Sequence, residues 1–285
     1  ASATPRATAS LVSPEQQALA EKLASQAKDG KFEYKVLNDP ANGPAFLILA
    51  DKEPKLAAAA LEAMSLTYTH YEPDKKKNHP DEYYQSVVLR HLDAQDGPTL
   101  YFAIKAAGAL MGEKPQRAVV DKLVQIVLNH AKIGARYEAM EALFLMKDFL
   151  ADKAIAEAFL DTLKAEPALQ SSALFRFRSN AYSLPNKSEV YQAAYELTKS
   201  KDEGVRGRAW QVVAETVDAK DKAKLAEELT GALRDKSPFV RSVAADCLSL
   251  VAKQKGVPAL MPLLSDKASN TYEIEFQNLR GHKET

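Results

Sequence analysis

The chain has 285 residues, 46% of them hydrophobic and 27% charged, which is enough apolar side chain to bury a large core. Lysine plus arginine and aspartate plus glutamate each number 38, so the net charge is zero and the cationic excess of a dedicated nucleic-acid binder is missing. The single cysteine, Cys247, rules out an intrachain disulfide and a cysteine-based zinc site.

Residues 1–12 begin Ala1-Ser2-Ala3-Thr4-Pro5-Arg6 and read as a disordered leader or linker, small and rich in Ser and Thr. Such a stretch resembles the stub left by signal-peptide removal, or the linker behind a lipid-anchored cysteine upstream of Ala1. Export to a periplasm or cell surface is therefore the favoured expectation, and a cytoplasmic chain trimmed of its methionine is the alternative. Residues 13–72 are expected to form degenerate amino-terminal capping repeats. There Ser13-Pro14-Glu15-Gln16 has the form of a capping box, and an alanine-rich helical pattern covers 55–71. The apolar run at 45–50 is far short of the roughly 20 residues a membrane helix needs, so no span is expected. Residues 73–79 read as an inserted loop. With its flanks it combines Tyr68, Tyr71, Tyr83 and Tyr84 with Lys75-Lys76-Lys77, as a functional insertion or a solvated tether.

From residue 80 to 266 a period of 35 takes over. Stepping by it from Val120 gives Ile155, Val190, Leu225 and Leu260; from Val124 it gives Phe159, Ala194, Leu229 and Leu264. Each period holds two helical patterns. The first, as over 221–233, repeats apolar residues every fourth position. The second puts Val240, Ala244, Cys247, Leu248 and Val251 on one face, behind Ser237 as N-cap and Pro238 at the first helical position. Upstream the same slots hold Val205, Ala209, Val212 and Val213; Ala135, Ala139, Ala142 and Leu143; and Leu100, Ile104, Ala107 and Gly108. Helix–turn–helix units are expected to begin near 80, 115, 150, 185, 220 and 255, each burying its apolar face only by stacking on a neighbour. Residues 267–285 read as a cap or an incomplete repeat, because Glu275 stands where an apolar residue is due.

Asp235, Val240-Arg241, Ala244 and Leu248 resemble the second helix of a HEAT repeat. The resemblance covers about 80–266, is strongest over 188–264, and implies an all-α fold, a right-handed α-solenoid of stacked helix–turn–helix repeats. It also implies that Asp235, Arg241 and Arg206 form a structural ladder between repeats, and that second helices line a concave surface. The helix near 133–147 keeps Arg136 but lacks the preceding aspartate, which leaves the ladder open there.

No catalytic signature is present: histidines 70, 79, 91, 130 and 282 form no HExxH pattern, and no hydrolase elbow, phosphate loop or dinucleotide fingerprint occurs. His70, His79 and His91 either converge on a metal or, the preferred reading, lie on loop and helix surfaces; no metal or other cofactor is expected. With the core slots facing the partner helix, 100° per residue turns Phe102, Tyr137 and Phe144 toward the groove, unless a local register slip buries them. A flank column runs Lys105, Met140, Phe175, Trp210 and Ala245; for Trp210, packing between repeats is favoured over partner contact. In Phe175-Arg176-Phe177-Arg178, Phe177 fills a core slot and Arg176 is a candidate for an acidic partner group. The expectation is a non-catalytic protein-binding scaffold, holding another protein or copies of itself and no nucleic acid. The alternatives are a structural subunit of an envelope or filament assembly and, disfavoured, a HEAT-like enzyme such as a DNA glycosylase or bilin lyase.

Overall fold

The computed structural model describes residues 13–69, 81–109, 117–145, 151–181 and 184–268, together with two-residue strands at Phe276–Gln277 and Lys283–Glu284. The expected leader, the inserted loop, His70, His79 and most of the carboxy-terminal segment lie outside them. The described chain is all-helical apart from those strands and an isolated bridge between Lys28 and Lys31. It falls into two compact units, one made chiefly of 1–147 and the other chiefly of 148–276.

The first unit contains α1 (Pro14–Gln26), α2 (Tyr34–Leu37), α3 (Gly43–Lys52), α4 (Ala57–Thr69), α5 (Asp81–His91), α6 (Gly97–Ala109), α7 (Arg117–Asn129) and α8 (Ile133–Phe144). The capping box of α1 forms in both directions: Gln16 N donates to Ser13 Oγ at 3.2 Å and Ser13 N to Gln16 Oε1 at 3.0 Å. Helices α1, α3, α5 and α7 pack side by side as one row and α4, α6 and α8 as a second, with α3–α4, α5–α6 and α7–α8 as rungs. The apolar run at 45–50 is the body of α3, buried on every face among α1, α4 and α5. Tyr83 and Tyr84, expected beside the inserted loop, are core residues of α5 instead. The Tyr83 hydroxyl donates to Asp51 Oδ2 at 2.8 Å and that of Tyr84 to the Ala106 carbonyl at 3.3 Å, which ties α5 to α3 and α6.

The second unit contains α9 (Lys153–Ala165), α10 (Gln170–Ser179), α11 (Lys187–Leu197), α12 (Glu203–Thr216), α13 (Lys222–Ala232), α14 (Pro238–Ala252) and the four-residue α15 (Val257–Leu260). Caps mark the starts: Asp152 accepts from Ala154 N at 3.0 Å, Asp202 from Val205 N at 2.8 Å and Ser237 from Val240 N at 3.5 Å. Helices α10, α12 and α14 pack in a row, with α9–α10, α11–α12 and α13–α14 as rungs.

The slots read at a period of 35 are buried at Val120, Ile155, Val190 and Leu225, and at Val124, Phe159, Ala194 and Leu229. The step to the next unit fails. Leu264 is 82% exposed, and no helix–turn–helix follows residue 255 among the described residues. There α15 gives way to a 3₁₀ turn over Met261–Ser265. Pro262 brings no N–H to the Pro258 carbonyl, and its ring collides with that carbonyl in an α-helix. At the end of α14 the chain passes through Lys253 with φ +50° and ψ −133°, a positive-φ conformation that costs a side-chain-bearing residue about 1–3 kcal/mol.

Candidate protein-binding surface

The joints between repeats are built from charge. Arg206 of α12 donates from Nε and Nη2 to the two carboxylate oxygens of Asp235 at 2.8 Å each, and from Nη1 to the Ser200 carbonyl at 2.8 Å. Asp235 also accepts from Ser237 N at 2.8 Å, so one carboxylate sets the turn into α14 and clamps the preceding repeat. The Arg206 guanidinium holds the Asp235 carboxyl below the usual carboxylate range. The step recurs one repeat on: Arg241 Nε reaches Asp266 Oδ2 at 2.7 Å, and Asp266 accepts from Ala268 N at 3.0 Å. In the first unit Arg136 instead donates to the Val127 carbonyl at 2.6 Å, within its own hairpin. A different pair joins second helices there, Lys105 of α6 with the buried Glu138 of α8 at 2.7 Å.

The aromatic candidates are placed unequally. Phe102 is only 8% exposed, its ring edge-on to Tyr101 at 5.1 Å, so it offers no anchor to a partner. A slot turned away from its own partner helix still meets the neighbouring second helices, and α6 has α4 on one side and α8 on the other. Gly207 shows the same effect: a Cβ there would run into the Phe239 ring of α14. Tyr137 and Phe144 are half-buried on α8. Trp210, at 9% exposure, is packed within α12's surroundings.

On the second helices of the second unit, an exposed aromatic is one the groove geometry passed over; elsewhere Tyr34 of α2 is also exposed. Phe175 of α10 is 39% exposed, with the Arg176 guanidinium 4.8 Å and the Arg208 guanidinium 5.5 Å from its ring centre. Arg176 is itself buried, with its guanidinium beside this ring. The flank column had contained Phe175, and its exposure is what distinguishes it from Met140 and Trp210 in the same column.

Cys247 is buried in α14, and burial pushes its thiol up to about 12, which leaves it unreactive. Of the described histidines, His91 contacts the Ala50 carbonyl through Nε2 at 2.7 Å, and His130 accepts from Lys132 N at 3.1 Å. No group of three metal-ligating side chains occurs among the described residues. No described helix is long and apolar enough to cross a membrane.

A second feature escaped the sequence reading. At the end of the second unit a hollow of about 540 Å³ lies between α13 and the segment leaving α14. Ala223, Ala226 and Thr230 form one wall, Leu248, Val251 and Ala259 supply apolar floor, and Lys222, Lys253 and Lys255 stand at its edge.

No family model and no curated protein matches the chain. Two solved structures of engineered proteins, both from the Northeast Structural Genomics Consortium, are similar to it. One is 18% identical with a TM-score of 0.52, over 91% of this chain and 73% of the other. The second is 17% identical with a TM-score of 0.46, over 84% and 97%. The first likeness is one of fold alone, and it agrees with an all-helical, repeat-like chain.

Proposed function

We propose that the chain is a non-catalytic scaffold, a right-handed HEAT-like α-solenoid whose second helices line a concave surface that holds another protein. The repeated pairs Arg206–Asp235 and Arg241–Asp266 support the HEAT-like reading: the first ties the α11–α12 hairpin to the next one, and the second ties α14 to the segment that follows it. The observation that carries the binding role is Phe175. An aromatic ring left open on a second helix, steadied by two guanidinium groups, is the kind of rigid amphipathic anchor that dominates protein interfaces.

Affinity capture from the native source, with the full chain as bait, tests this. Changing Phe175 to alanine is expected to cut recovery of the partner by about tenfold or more. The melting temperature should stay within about 2 °C, as for a substitution outside the core. Undiminished capture, or a fall in melting temperature of many degrees, would remove Phe175 as an anchor and the reading with it.

A further inference from the structure

The hollow beside α13 has a counterpart one repeat earlier that is filled. On α11, Tyr191 and Tyr195 stack at 6.0 Å, and the Tyr195 hydroxyl donates to Glu228 of α13 at 2.9 Å. Adding the period of 35 to these positions leads to Ala226 and Thr230, both in the wall of the hollow. Two large rings are thus replaced by a methyl and a small hydroxyl, on a flank that α15 is too short to cover.

The charge around the space is one-sided. Lys222, Lys253 and Lys255 surround it, Glu227 is the one acid in its lining, and none of the three lysines makes an ion pair among the described residues. The positive-φ backbone at Lys253 turns the chain sharply where α14 ends. Gly256 follows, and a Cβ on it would meet Leu248 Cγ at 3.1 Å, so the wall lies tight on the floor. The volume falls within the range of specific binding clefts, roughly 300–1,000 Å³.

We propose that this hollow docks an acidic segment of a partner protein. That segment inserts a large apolar or aromatic side chain between α13 and residues 253–259 and sets carboxylates against Lys222, Lys253 and Lys255. The proposal rests on the scaffold reading in that a protein is bound, but it uses a surface separate from Phe175.

The test is selection of a phage-displayed random twelve-residue peptide library on the immobilised full chain, followed by anisotropy titration of the best synthetic peptide. Enriched peptides are expected to combine Phe, Trp or Leu with Asp and Glu. Changing Ala226 and Thr230 together to tyrosine restores the α11 pattern and should weaken binding by about tenfold or more. Changing Lys253 and Lys255 together to glutamate should do the same and flatten the dependence on salt. Circular dichroism and melting verify that each variant is folded.

Winners without acidic residues, or affinities that neither pair of substitutions alters, overturn the proposal. So does a selection that yields no binder; saturable dodecanoate binding abolished by the same substitutions would then assign the hollow to a small amphiphile. Peptides that bind only after Tyr272, Ile274 and Phe276 are changed to serine would give the hollow to the chain's own carboxy-terminal segment. Winners lost only on Phe175→Ala sink the hollow and leave the scaffold reading standing. That reading falls separately, when capture from the native source is independent of Phe175.

Discussion

Asp235 accepts three hydrogen bonds, two from Arg206 and one from Ser237 N, and each favours its charged form. Its folded pKa is therefore depressed, so its contribution to stability is present above the ordinary aspartate value of about 3.9 and is lost as pH falls through the lower folded value. The melting temperature is expected to drop as pH falls below about 4, and Asp235→Asn should flatten that limb. At neutral pH the same change should cost about 2 kcal/mol, since the partly buried Arg206 loses its charged acceptor. A melting series over pH for both proteins checks this, and parallel acid limbs would place the acid sensitivity elsewhere. The role of Asp235 was legible only through the resemblance that Asp235, Val240-Arg241, Ala244 and Leu248 carry. Phe102 was not, because a helical wheel refers each side chain to one partner helix, whereas α6 is enclosed by three. Nor was the exposure of Phe175, because the two cations beside its ring, Arg176 and Arg208, are brought together only by the fold and not by the period of 35.

Whole elements were legible where the apolar period coincides with a cap and a following partner helix, as at Ser237. Leu264 keeps the period and loses the α-helix that still holds Leu260, because periodicity registers apolar identity and not whether a backbone N–H is available. Pro262→Ala restores that donor. The change is expected to extend α15 through Ser265, deepening the 222 nm ellipticity and slowing amide exchange over 261–265. The gain in stability should stay below the roughly 3 kcal/mol that proline costs in a helix interior, since this helix is exposed on most sides. Unchanged exchange would mean that the turn is held by its surroundings rather than by the proline. Helix α3 shows the opposite difficulty: buried on every face, it offers no alternation to read and registers only as an apolar run.

At the scale of the molecule, each unit carries a core of its own, with Phe46, Leu61 and Met64 deep in the first and Phe159, Phe177 and Ile155 in the second. Stacked hairpins exchange energy chiefly with their neighbours, so damage should spread locally. Phe46→Ala is expected to cost about 3–5 kcal/mol, with hydrogen-exchange protection falling most in α1, α3, α4 and α5 and least in α12 and α14. An even loss across both units would instead make the chain one cooperative body. The hollow by α13 belongs to this scale as well: it emerges only when Ala226 and Thr230 are compared with the tyrosines one period earlier. Cys247, the sole thiol in the sequence, sits sealed in α14 with its proton held tightly. An alkylating reagent can therefore reach sulfur only in the moments when the last hairpin detaches, and the chain carries a natural clock for how often that happens.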